Sequence, residues 1–461
     1  MKNINNDIIS QLPKDFLDRM REYLQDNEYD LFLQSLNQDE KKGIVLDLYK
    51  LANNNLLLNE IIDTLQLKLY YENNNYNYYF FDESHFKDNK TIGNQIYYHQ
   101  GLYYVQEPSA SQVIKNVKIN NNDKILDLCA APGGKSINAL FNDKNGFVIS
   151  NDIDFKRSKI ISSNIERLGI SNCIVTNNNP TVFQTNFKSY FDKVILDAPC
   201  SGEGMMRKNE TARLQWNPNL ILKMSSIQKQ LIDIAYACVK DNGTIIYSTC
   251  TFAKEEDEDI IQYITNKHKT IEVLDQKKIY FHDNIGEGQF YAILVKHEQD
   301  NNEPSYIDIK NNIINLKYKK SKIYNDFIKV FEKIIDYDIY REDSHLILLN
   351  NKIYAIDNNI PLEIIDNLNI LRVGIELAEI NNNNISLSHS ISHSKYANYF
   401  KHKIDLSKED SYKYLKGETF KIDLDIKSFA LATYKCIPLG ICKITNNTLK
   451  NHYPKGLRNL N

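Results

Sequence analysis

The sequence lacks the features of a zinc protein, a disulfide scaffold and a membrane protein. Its seven cysteines are an odd number, and no two of them have Cys-x-x-Cys spacing. No apolar run approaches the roughly 20 residues that a membrane helix needs, and no secretory leader follows Met1. We therefore expect free thiols in a reducing compartment, a cytoplasmic location, and neither a metal nor a membrane partner.

The sequence also lacks a strong net charge, but its charges are unevenly distributed. The formal net charge of −3 does not by itself indicate nucleic-acid binding. Residues 1–60 contain seven Lys and Arg against eleven Asp and Glu, whereas residues 395–461 contain thirteen against six. Because the basic segment also contains several tyrosines, it could bind a phosphate backbone and stack on bases. A solvated lysine-rich face over a β-rich core is an equally good interpretation.

What is present is enough for a packed α/β protein, with 42% hydrophobic and 11% aromatic residues. The alternation of strand and helix patterns between Ser109 and His297 predicts a doubly wound, Rossmann-like sheet. We predict strands at 124–129, 147–151, 173–177, 193–198, 243–249, 271–274 and 290–296, and helices at 109–117, 135–141, 154–168, 219–240 and 255–267. An aromatic segment at 96–105 is a further strand candidate.

Four domains follow from these patterns. Helical spacing within 7–69 predicts a small helical N-terminal domain, and a polar linker at Glu298–Pro304 marks the end of the sheet. Beyond the linker we expect mixed strands with a helix at 321–335, and then short strands of a β-barrel-like module. The predicted domains are 1–72, 73–298 (the sheet with its connector), 305–380 and 385–461.

The most informative segment is Lys124–Ser136, KILDLCAAPGGKS, in which an apolar strand ends in a small-residue turn before a helix. Such a turn at the carboxyl end of a parallel strand binds nucleotide-like ligands. A phosphate-binding P-loop would need glycine at position 129, where this chain has Cys129. The segment therefore predicts a nucleoside-type cofactor site, in which Gly133 and Gly134 let the backbone approach the ligand.

Polar and thiol side chains follow the other strands. Asp152 follows the second strand, and a carboxylate there can accept hydrogen bonds from both hydroxyls of a ribose. Asp154 is the better cap for the next helix, which leaves Asp152 available for this role. Asp197 ends the fourth strand. Cys200 and Cys250 each lie where an apolar run stops, which suggests covalent chemistry beside an adenosyl cofactor.

Together these motifs resemble the Nol/Nop/Sun family of RNA cytosine-C5 methyltransferases, and within it the RsmF (YebU) group, which acts on 16S ribosomal RNA. The resemblance is carried by these segments: Asp127–Ser136, Asp197–Gly204, Ser248–Thr251, Gln106–Ala110, Arg207–Lys208, Gly286–Gly288 and Asn451–Arg458. It is dense in the catalytic domain and thinner at the ends of the chain.

The resemblance implies S-adenosyl-L-methionine as cofactor and roles for individual residues. Cys250 would be the nucleophile that adds to cytosine C6, and Cys200 would help product release. Asp197 would hold the cytosine edge, with Lys135 as an electrostatic contributor in the same pocket. The cofactor site would comprise Cys129, Ala130, Ala131, Pro132, Gly133, Gly134, Lys135, Asp152, Asn179 and Asp197. The C-terminal segment would be a PUA-like RNA-binding module.

Some positions depart from the family pattern or have no assigned chemistry. Asn179 stands where the family often has an acidic residue for the adenine amino group, and Gln289 where relatives often have histidine. Arg207 and Lys208 are the candidates for RNA phosphate contacts. The acidic run 255–259 is interpreted as the first turn of a helix, where negative charge is favoured.

We therefore expect a monomeric S-adenosylmethionine-dependent RNA 5-methylcytosine methyltransferase that acts on 16S rRNA or the 30S subunit. Two alternatives stay open. The first is the same chemistry on transfer RNA. The second is a ribosome-assembly factor that binds rRNA without activity, against which the intact thiols and the glycine turn argue.

Overall fold

The structure is a computed structural model that describes residues 8–51, 54–73, 75–86, 91–298, 314–315, 322–339, 344–381, 384–424 and 426–458. Within these ranges the strands form one eight-stranded sheet and three smaller ones. No helix of the described residues combines the length and apolarity needed to cross a membrane.

The strands, in chain order, are β1 (Lys42–Asp47), β2 (Lys68–Glu72), β3 (Tyr76–Phe81), β4 (Tyr103–Gln106), β5 (Lys124–Asp127), β6 (Phe147–Asn151), β7 (Cys173–Thr176), β8 (Phe191–Asp197), β9 (Val239–Thr249), β10 (Ile271–Ile279), β11 (Gln289–Lys296), β12 (Ile314–Asn315), β13 (Ser344–Leu349), β14 (Lys352–Asp357), β15 (Ile370–Val373), β16 (Ile375–Asn381), β17 (Asn384–Leu387), β18 (Lys403–Asp405), β19 (Phe420–Lys421), β20 (Ser428–Tyr434), β21 (Ile437–Thr445) and β22 (Thr448–Asn451).

The α-helices are α1 (Lys14–Tyr23), α2 (Asp26–Leu36), α3 (Leu48–Leu51), α4 (Asn55–Leu65), α5 (Ile96–His99), α6 (Pro108–Lys115), α7 (Gly134–Asn142), α8 (Phe155–Arg167), α9 (Thr181–Asn186), α10 (Glu210–Gln215), α11 (Pro218–Cys238), α12 (Glu258–Lys267), α13 (Lys322–Ile334) and α14 (Lys408–Lys416). Short 3₁₀ helices occur at Ile8–Gln11, Glu83–His85, Ile92–Asn94, Glu203–Met205, Phe281–Asp283, Leu362–Asn367, His389–His393, Lys395–Tyr399 and Lys455–Leu457.

The N-terminal residues contain the predicted helices, α1 to α4, together with a small antiparallel sheet that the sequence analysis did not predict. Strand β1 lies between β3 and β4 in an antiparallel sheet, and α5 occupies the start of the segment 96–105 that was predicted as a strand. Every residue of β1 from Gly43 to Asp47 is buried, so β1 has no polar–apolar alternation to reveal it. The predicted domain boundary at 72–73 divides the hydrogen-bonded hairpin of β2 and β3.

The predicted Rossmann-like sheet is confirmed. Its strand order is β10-β11-β9-β8-β5-β6-β7-β15, in which β5 to β9 run parallel. All seven predicted strands are present, and the five predicted helices correspond to α6, α7, α8, α11 and α12. The six-residue helices α9 and α10 were not predicted, because so short a segment shows little periodicity.

Alternating residues of the parallel strands enter two hydrophobic cores. Ile125 and its neighbours pack with α6, α7 and α8 on one face, whereas Leu126 and its neighbours pack with α11 and α12 on the other. Burial on both faces is typical of a doubly wound sheet. It leaves the carboxyl ends of the strands as the open edge where polar side chains can meet a ligand.

The segment after the sheet is tied to it. Strands β12-β13-β14-β16-β17 form a second sheet, and β15 leaves this sequence to pair antiparallel with β7 at the edge of the catalytic sheet. An edge strand covered in this way no longer offers free backbone groups for pairing. Helix α13 confirms the predicted helix at 321–335, but the predicted boundary between 380 and 385 separates the paired strands β16 and β17.

The C-terminal module has the strand order β18-β20-β21-β22-β19 with α14 packed against it. It shares a hydrophobic core with the N-terminal unit and so connects the two ends of the chain. Gln100 donates through Nε2 to the carbonyl oxygen of Tyr434 at 2.8 Å, and His99 Nδ1 lies 2.9 Å from the Tyr453 hydroxyl. The module is therefore docked on the rest of the protein.

Candidate active site

The turn after β5 brings backbone close to the open edge of the sheet. Gly133 N donates to Ala130 O at 2.7 Å, and the peptide bond before Pro132 is cis. Gly133 has φ 111°, in the left-handed region that favours glycine. A Cβ added at Gly134 would lie 3.0 Å from the side-chain nitrogen of Gln106, so the turn passes close to the end of β4.

A cavity of about 860 Å³ lies against this turn and the neighbouring strand ends. Its size is within the range of small-molecule and cofactor sites. The predicted site residues that line it are Cys129, Ala130, Ala131, Pro132, Gly134, Lys135, Asp152, Asn179, Asp197, Cys200 and Cys250. Gly133 belongs to the turn but is not a lining residue.

Asp152 is buried directly after β6, at 2% exposure. Its Oδ1 accepts from Asp154 N at 2.9 Å and its Oδ2 from Ala131 N at 3.3 Å, while Arg157 Nη2 lies 3.6 Å away. Asp154 caps α8 as predicted, by accepting from Arg157 N at 2.9 Å. The sequence suggested that Asp152 has no other hydrogen-bond partner. In the structure its carboxylate accepts a hydrogen bond from the glycine turn and lies beside the cavity.

Asn179, which replaces the usual acidic residue, lines the same cavity. Its Oδ1 accepts from the backbone N of Thr181 at 3.1 Å and from the Thr181 hydroxyl at 2.9 Å. The amide oxygen is therefore oriented by Thr181.

Lys135 and Asp197 form an ion pair, with Lys135 Nζ 2.7 Å from Asp197 Oδ2. Ser248 Oγ donates to the other carboxylate oxygen of Asp197 at 2.7 Å. The Lys135 side chain is 8% exposed and that of Asp197 is 34% exposed. The carboxylate is therefore the more accessible partner, and the lysine pairs with it from the more buried side. Beneath them, burial raises the pKa of Asp127 to about 7, although Ser136 Oγ donates to it at 2.7 Å.

The two predicted thiols meet at the cavity. Cys200 Sγ lies 3.1 Å from Cys250 Sγ, and Cys250 N donates to Cys200 Sγ at 3.4 Å. The hydrogen bond with Cys250, together with burial, raises the pKa of Cys200 well above its ordinary value. Cys200 is therefore a neutral thiol next to Cys250, whose carbonyl oxygen accepts from Gly204 N at 2.9 Å.

The remaining glycines of these motifs permit close backbone packing. A Cβ at Gly204 would lie 2.4 Å from the carbonyl oxygen of Gly288, and one at Gly286 would lie 2.0 Å from Glu107 Oε1. Gly288 N donates to Gly204 O at 3.0 Å. The segment 286–288 therefore packs directly against the thiol loop and the cap of α6.

Sequence reasoning missed several residues that line the cavity: Tyr104, Arg157, Met205 and Gln106. Gln106 begins a segment that carries the family resemblance, but the sequence assigned it no role. Arg157 could have been found from its place in the first turn of α8, three residues after the cap. Its guanidinium donates to Ala131 O at 2.8 Å and so supports the cofactor turn.

Arg207, predicted as a candidate for an RNA phosphate contact, is buried in the structure. Its side chain is 6% exposed, and its Nη2 lies 2.7 Å from Glu287 Oε1 and donates to Gly286 O at 3.1 Å. A guanidinium buried against a carboxylate and a carbonyl is not available to a phosphate. Lys208, the next residue, is exposed and stays a candidate.

The acidic run 255–259 forms the first turn of a helix only in part, with Glu258 and Asp259 in the first turn of α12. Helix α12 begins only at Glu258, and both Glu256 and Asp257 are fully buried. No cluster of His, Cys, Asp or Glu suited to a metal ion occurs in the described part of the chain.

The motifs of this site match known families over most of the chain. The model of 16S rRNA methyltransferase RsmB/F matches residues 114–308. The N-terminal domain of 16S rRNA methyltransferase RsmF matches residues 12–108, and the methyltransferase RsmF PUA domain matches residues 401–459.

Curated relatives and solved structures agree. Ribosomal RNA small subunit methyltransferase F of Psychromonas ingrahamii is 30% identical over 402 residues, covering 79% of this chain and 81% of the relative. The protein of the same name from Vibrio vulnificus is 27% identical over 391 residues, with the same coverage. Among solved structures, PH0851 has a TM-score of 0.55 at 22% identity over 64% of this chain and 70% of that chain. NSun6 from Pyrococcus horikoshii with SFG has a TM-score of 0.52 at 17% identity over 62% of this chain and 99% of that chain.

The two structures show the fold alone, whereas the curated relatives and the three matched regions show the family. The cavity, the glycine turn at its edge and the carboxylate after β6 suit the adenosyl cofactor that the sequence predicted. The chain therefore belongs to the ribosomal RNA small subunit methyltransferase F family of S-adenosylmethionine-dependent RNA methyltransferases.

Proposed function

We propose that this protein methylates C5 of a cytidine in 16S ribosomal RNA through a covalent adduct between Cys250 and cytosine C6. The observation that carries the proposal is the thiol pair, 3.1 Å apart at the wall of the cofactor cavity. A pair of thiols beside a methyl donor has a clear use in this reaction, because C5 of cytosine is too weak a nucleophile until C6 is attacked.

The chain's own residues can carry the steps. The Cys250 thiolate forms a bond to C6, and the electron pair of the C5–C6 double bond moves toward C5 as charge builds on the N3 edge. Asp197, held by Lys135 and Ser248, is the group placed to bind that edge. S-adenosylmethionine, bound in the cavity beside the glycine turn and Asp152, would supply an electrophilic methyl group on its sulfonium to C5, with S-adenosylhomocysteine as the leaving group.

Product release needs a base or a water molecule to take the proton from C5, and it needs the bond from Cys250 to C6 to break. The electron pair of the C5–H bond then restores the ring double bond, and the thiolate leaves. Cys200, a neutral thiol in contact with Cys250, is placed to donate a hydrogen bond to the departing sulfur. This supports Cys250 as nucleophile and Cys200 as the group that assists release.

Substitution of the two thiols tests these roles. Cys250→Ala should abolish methyl incorporation from labelled cofactor into small-subunit RNA, whereas Cys200→Ala should accumulate a protein–RNA adduct that survives denaturing electrophoresis. Cys436→Ala is the matched control, since this exposed thiol lies outside the cavity. An adduct that requires Cys200 and survives the loss of Cys250 would reverse the assignment.

The choice of 16S rRNA is supported by the names of the relatives and by the RsmF-type regions at both ends of the chain. The C-terminal module would grip the RNA backbone, and the target base must leave its stack to reach Cys250. Bisulfite mapping of ribosomal and transfer RNA in a deletion strain should show a lost 5-methylcytosine in 16S rRNA. A site lost only from transfer RNA would favour the first alternative. Unchanged methylation of both RNAs, with RNA binding retained by the purified protein, would favour an assembly factor.

A further inference from the structure

Two consecutive buried carboxylates lie behind the thiol pair. Glu256 and Asp257 are both fully buried, although they belong to an acidic run that looks solvated in the sequence. Burying carboxylates is costly unless hydrogen bonds or a cation compensate them. Each of these two has such partners, and each accepts a hydrogen bond from the residue next to a different one of the two cysteines, Ser201 beside Cys200 and Thr249 beside Cys250.

Glu256 and Gln228 hold the loop that carries Cys200. Glu256 Oε2 accepts from the backbone N of Ser201 at 2.9 Å and from Gln228 Nε2 at 2.8 Å. Gln228 Nε2 also donates to the carbonyl oxygen of Pro199 at 2.9 Å. The two side chains therefore fix the peptide groups on both sides of Cys200. Burial raises the pKa of Glu256 to about 7, despite the opposing hydrogen bonds from Ser201 and Gln228.

Asp257 holds the strand end that carries Cys250. Its Oδ1 accepts from the Thr249 hydroxyl at 2.6 Å, and its Oδ2 lies 3.0 Å from Lys278 Nζ. Lys278 also donates to Phe252 O at 2.9 Å. Burial lowers the pKa of Lys278, but Asp257 and Glu258 more than offset this, so that its pKa is raised and the lysine stays charged. One oxygen of the Asp257 carboxylate thus pairs with Lys278, and the other accepts a hydrogen bond from Thr249, the residue before Cys250.

We propose that Glu256 and Asp257 are positioning residues, one for each thiol, and that their adjacency in the chain sets the geometry of the thiol pair. The inference rests on the proposed function for its kinetic consequences. Because the two anchors are consecutive, a single rigid segment determines where both sulfur atoms lie. Loss of either anchor should then affect one thiol and therefore one step of the reaction.

Separate measurement of adduct formation and adduct resolution tests this division of roles. Glu256→Leu removes the acceptor for Ser201 and Gln228, and we expect adduct resolution to slow about 100-fold, the effect of a shift of about 1 Å at a reacting group. Gln228→Leu should do the same. Glu256→Gln keeps an oxygen acceptor and should restore resolution to within about tenfold of wild type. Thr249→Val removes the donor to Asp257 and should slow adduct formation about 100-fold, with resolution unchanged.

Asp259→Asn is the matched control, because Asp259 belongs to the same acidic run but is exposed. It should change neither rate. Thermal melting of each variant separates loss of folding from loss of positioning, and Gln228→Leu and Glu256→Gln serve if Glu256→Leu does not fold. The proposal is overturned if Glu256→Leu and Thr249→Val slow the same step, or if neither changes either rate.

A second readout needs no RNA and so distinguishes this inference from the proposed function. Diamide, which takes one hydrogen from each thiol, should rapidly join Cys200 to Cys250 in the wild-type protein because the sulfur atoms lie 3.1 Å apart. Glu256→Leu and Thr249→Val should each slow this disulfide formation about tenfold or more, and Asp259→Asn should not. Equal rates in all four proteins would refute the positioning roles, even if methylation is observed. Failure of methylation with altered disulfide rates would instead refute the proposed function alone.

Discussion

Three histidines buried where the two ends of the chain meet should each lower the folding stability in mild acid. His389 and His393 have ring centroids 5.1 Å apart, and both His389 and His99 pack against Tyr453. Burial, with a contribution from Arg167 at His99, lowers the pKa of His99 to about 4 and that of His389 to about 3. Burial also lowers the pKa of His393 well below its usual range.

The size and sign of the effect follow from linkage. The folded protein keeps these rings neutral, whereas the unfolded chain takes up protons below a pKa of about 6.5, so stability is lost as the pH falls through that value. The pH value of 5 lies about 1.5 units below the unfolded-state pKa of about 6.5, and each unit corresponds to about 1.36 kcal/mol. At pH 5 each histidine therefore favours the unfolded state by about 2 kcal/mol. His99 and His389 together then cost about 4 kcal/mol, a large part of a typical total stability of about 5–15 kcal/mol.

Urea unfolding between pH 8 and pH 5 measures this loss. The histidines by themselves should lower the free energy of unfolding below about pH 7 with a slope of two to three protons per molecule. The buried carboxyls of Asp127 and Glu256, with pKa values raised to about 7, take up protons in the folded protein over the same range and oppose this loss, so comparison with a variant isolates the histidine contribution. His99→Gln, which keeps a polar partner for Tyr453, should remove about one proton from the histidine slope. A pH dependence of His99→Gln equal to that of wild type would refute the buried neutral histidine.

Three further predictions concern the site. Arg207→Met should lower the free energy of unfolding by about 3–5 kcal/mol, because it leaves the buried Glu287 carboxylate without its cation, and it should leave the RNA affinity of the folded protein unchanged in filter binding. Lys135→Met should lower the rate of methyl transfer about tenfold to 100-fold. The loss is moderate because Asp197 is partly exposed and water can replace some of the interaction. An unchanged single-turnover rate would contradict the electrostatic role of Lys135. Asn179→Asp should tighten S-adenosylmethionine binding several-fold in calorimetry, because a carboxylate accepts a stronger hydrogen bond than an amide; weaker binding would place the adenine elsewhere.

Much of the site was predictable because it follows from local pattern and parallel topology. Carboxyl ends of parallel strands meet at one edge of a sheet, so side chains that follow separate apolar runs, such as Asp152, Asp197 and Cys250, had to lie near one another. The glycine turn was readable for the same reason. The missed strand β1 and the mistaken strand at 96–99 are failures of periodicity, since one is buried on both faces and the other is too short to show a helical repeat.

The fold class, the cofactor turn, the two thiols and the family were therefore predictable from the sequence. Which charged side chains face a ligand and which are buried as supports depends on the folded structure. Arg207 pairs with a carboxylate 80 residues away, and the acidic pair at Glu256 and Asp257 grips two loops from separate strands. Local sequence could not reveal either, because the partner of a charged group is set by contacts between distant segments, and these exist only once the sheet has folded.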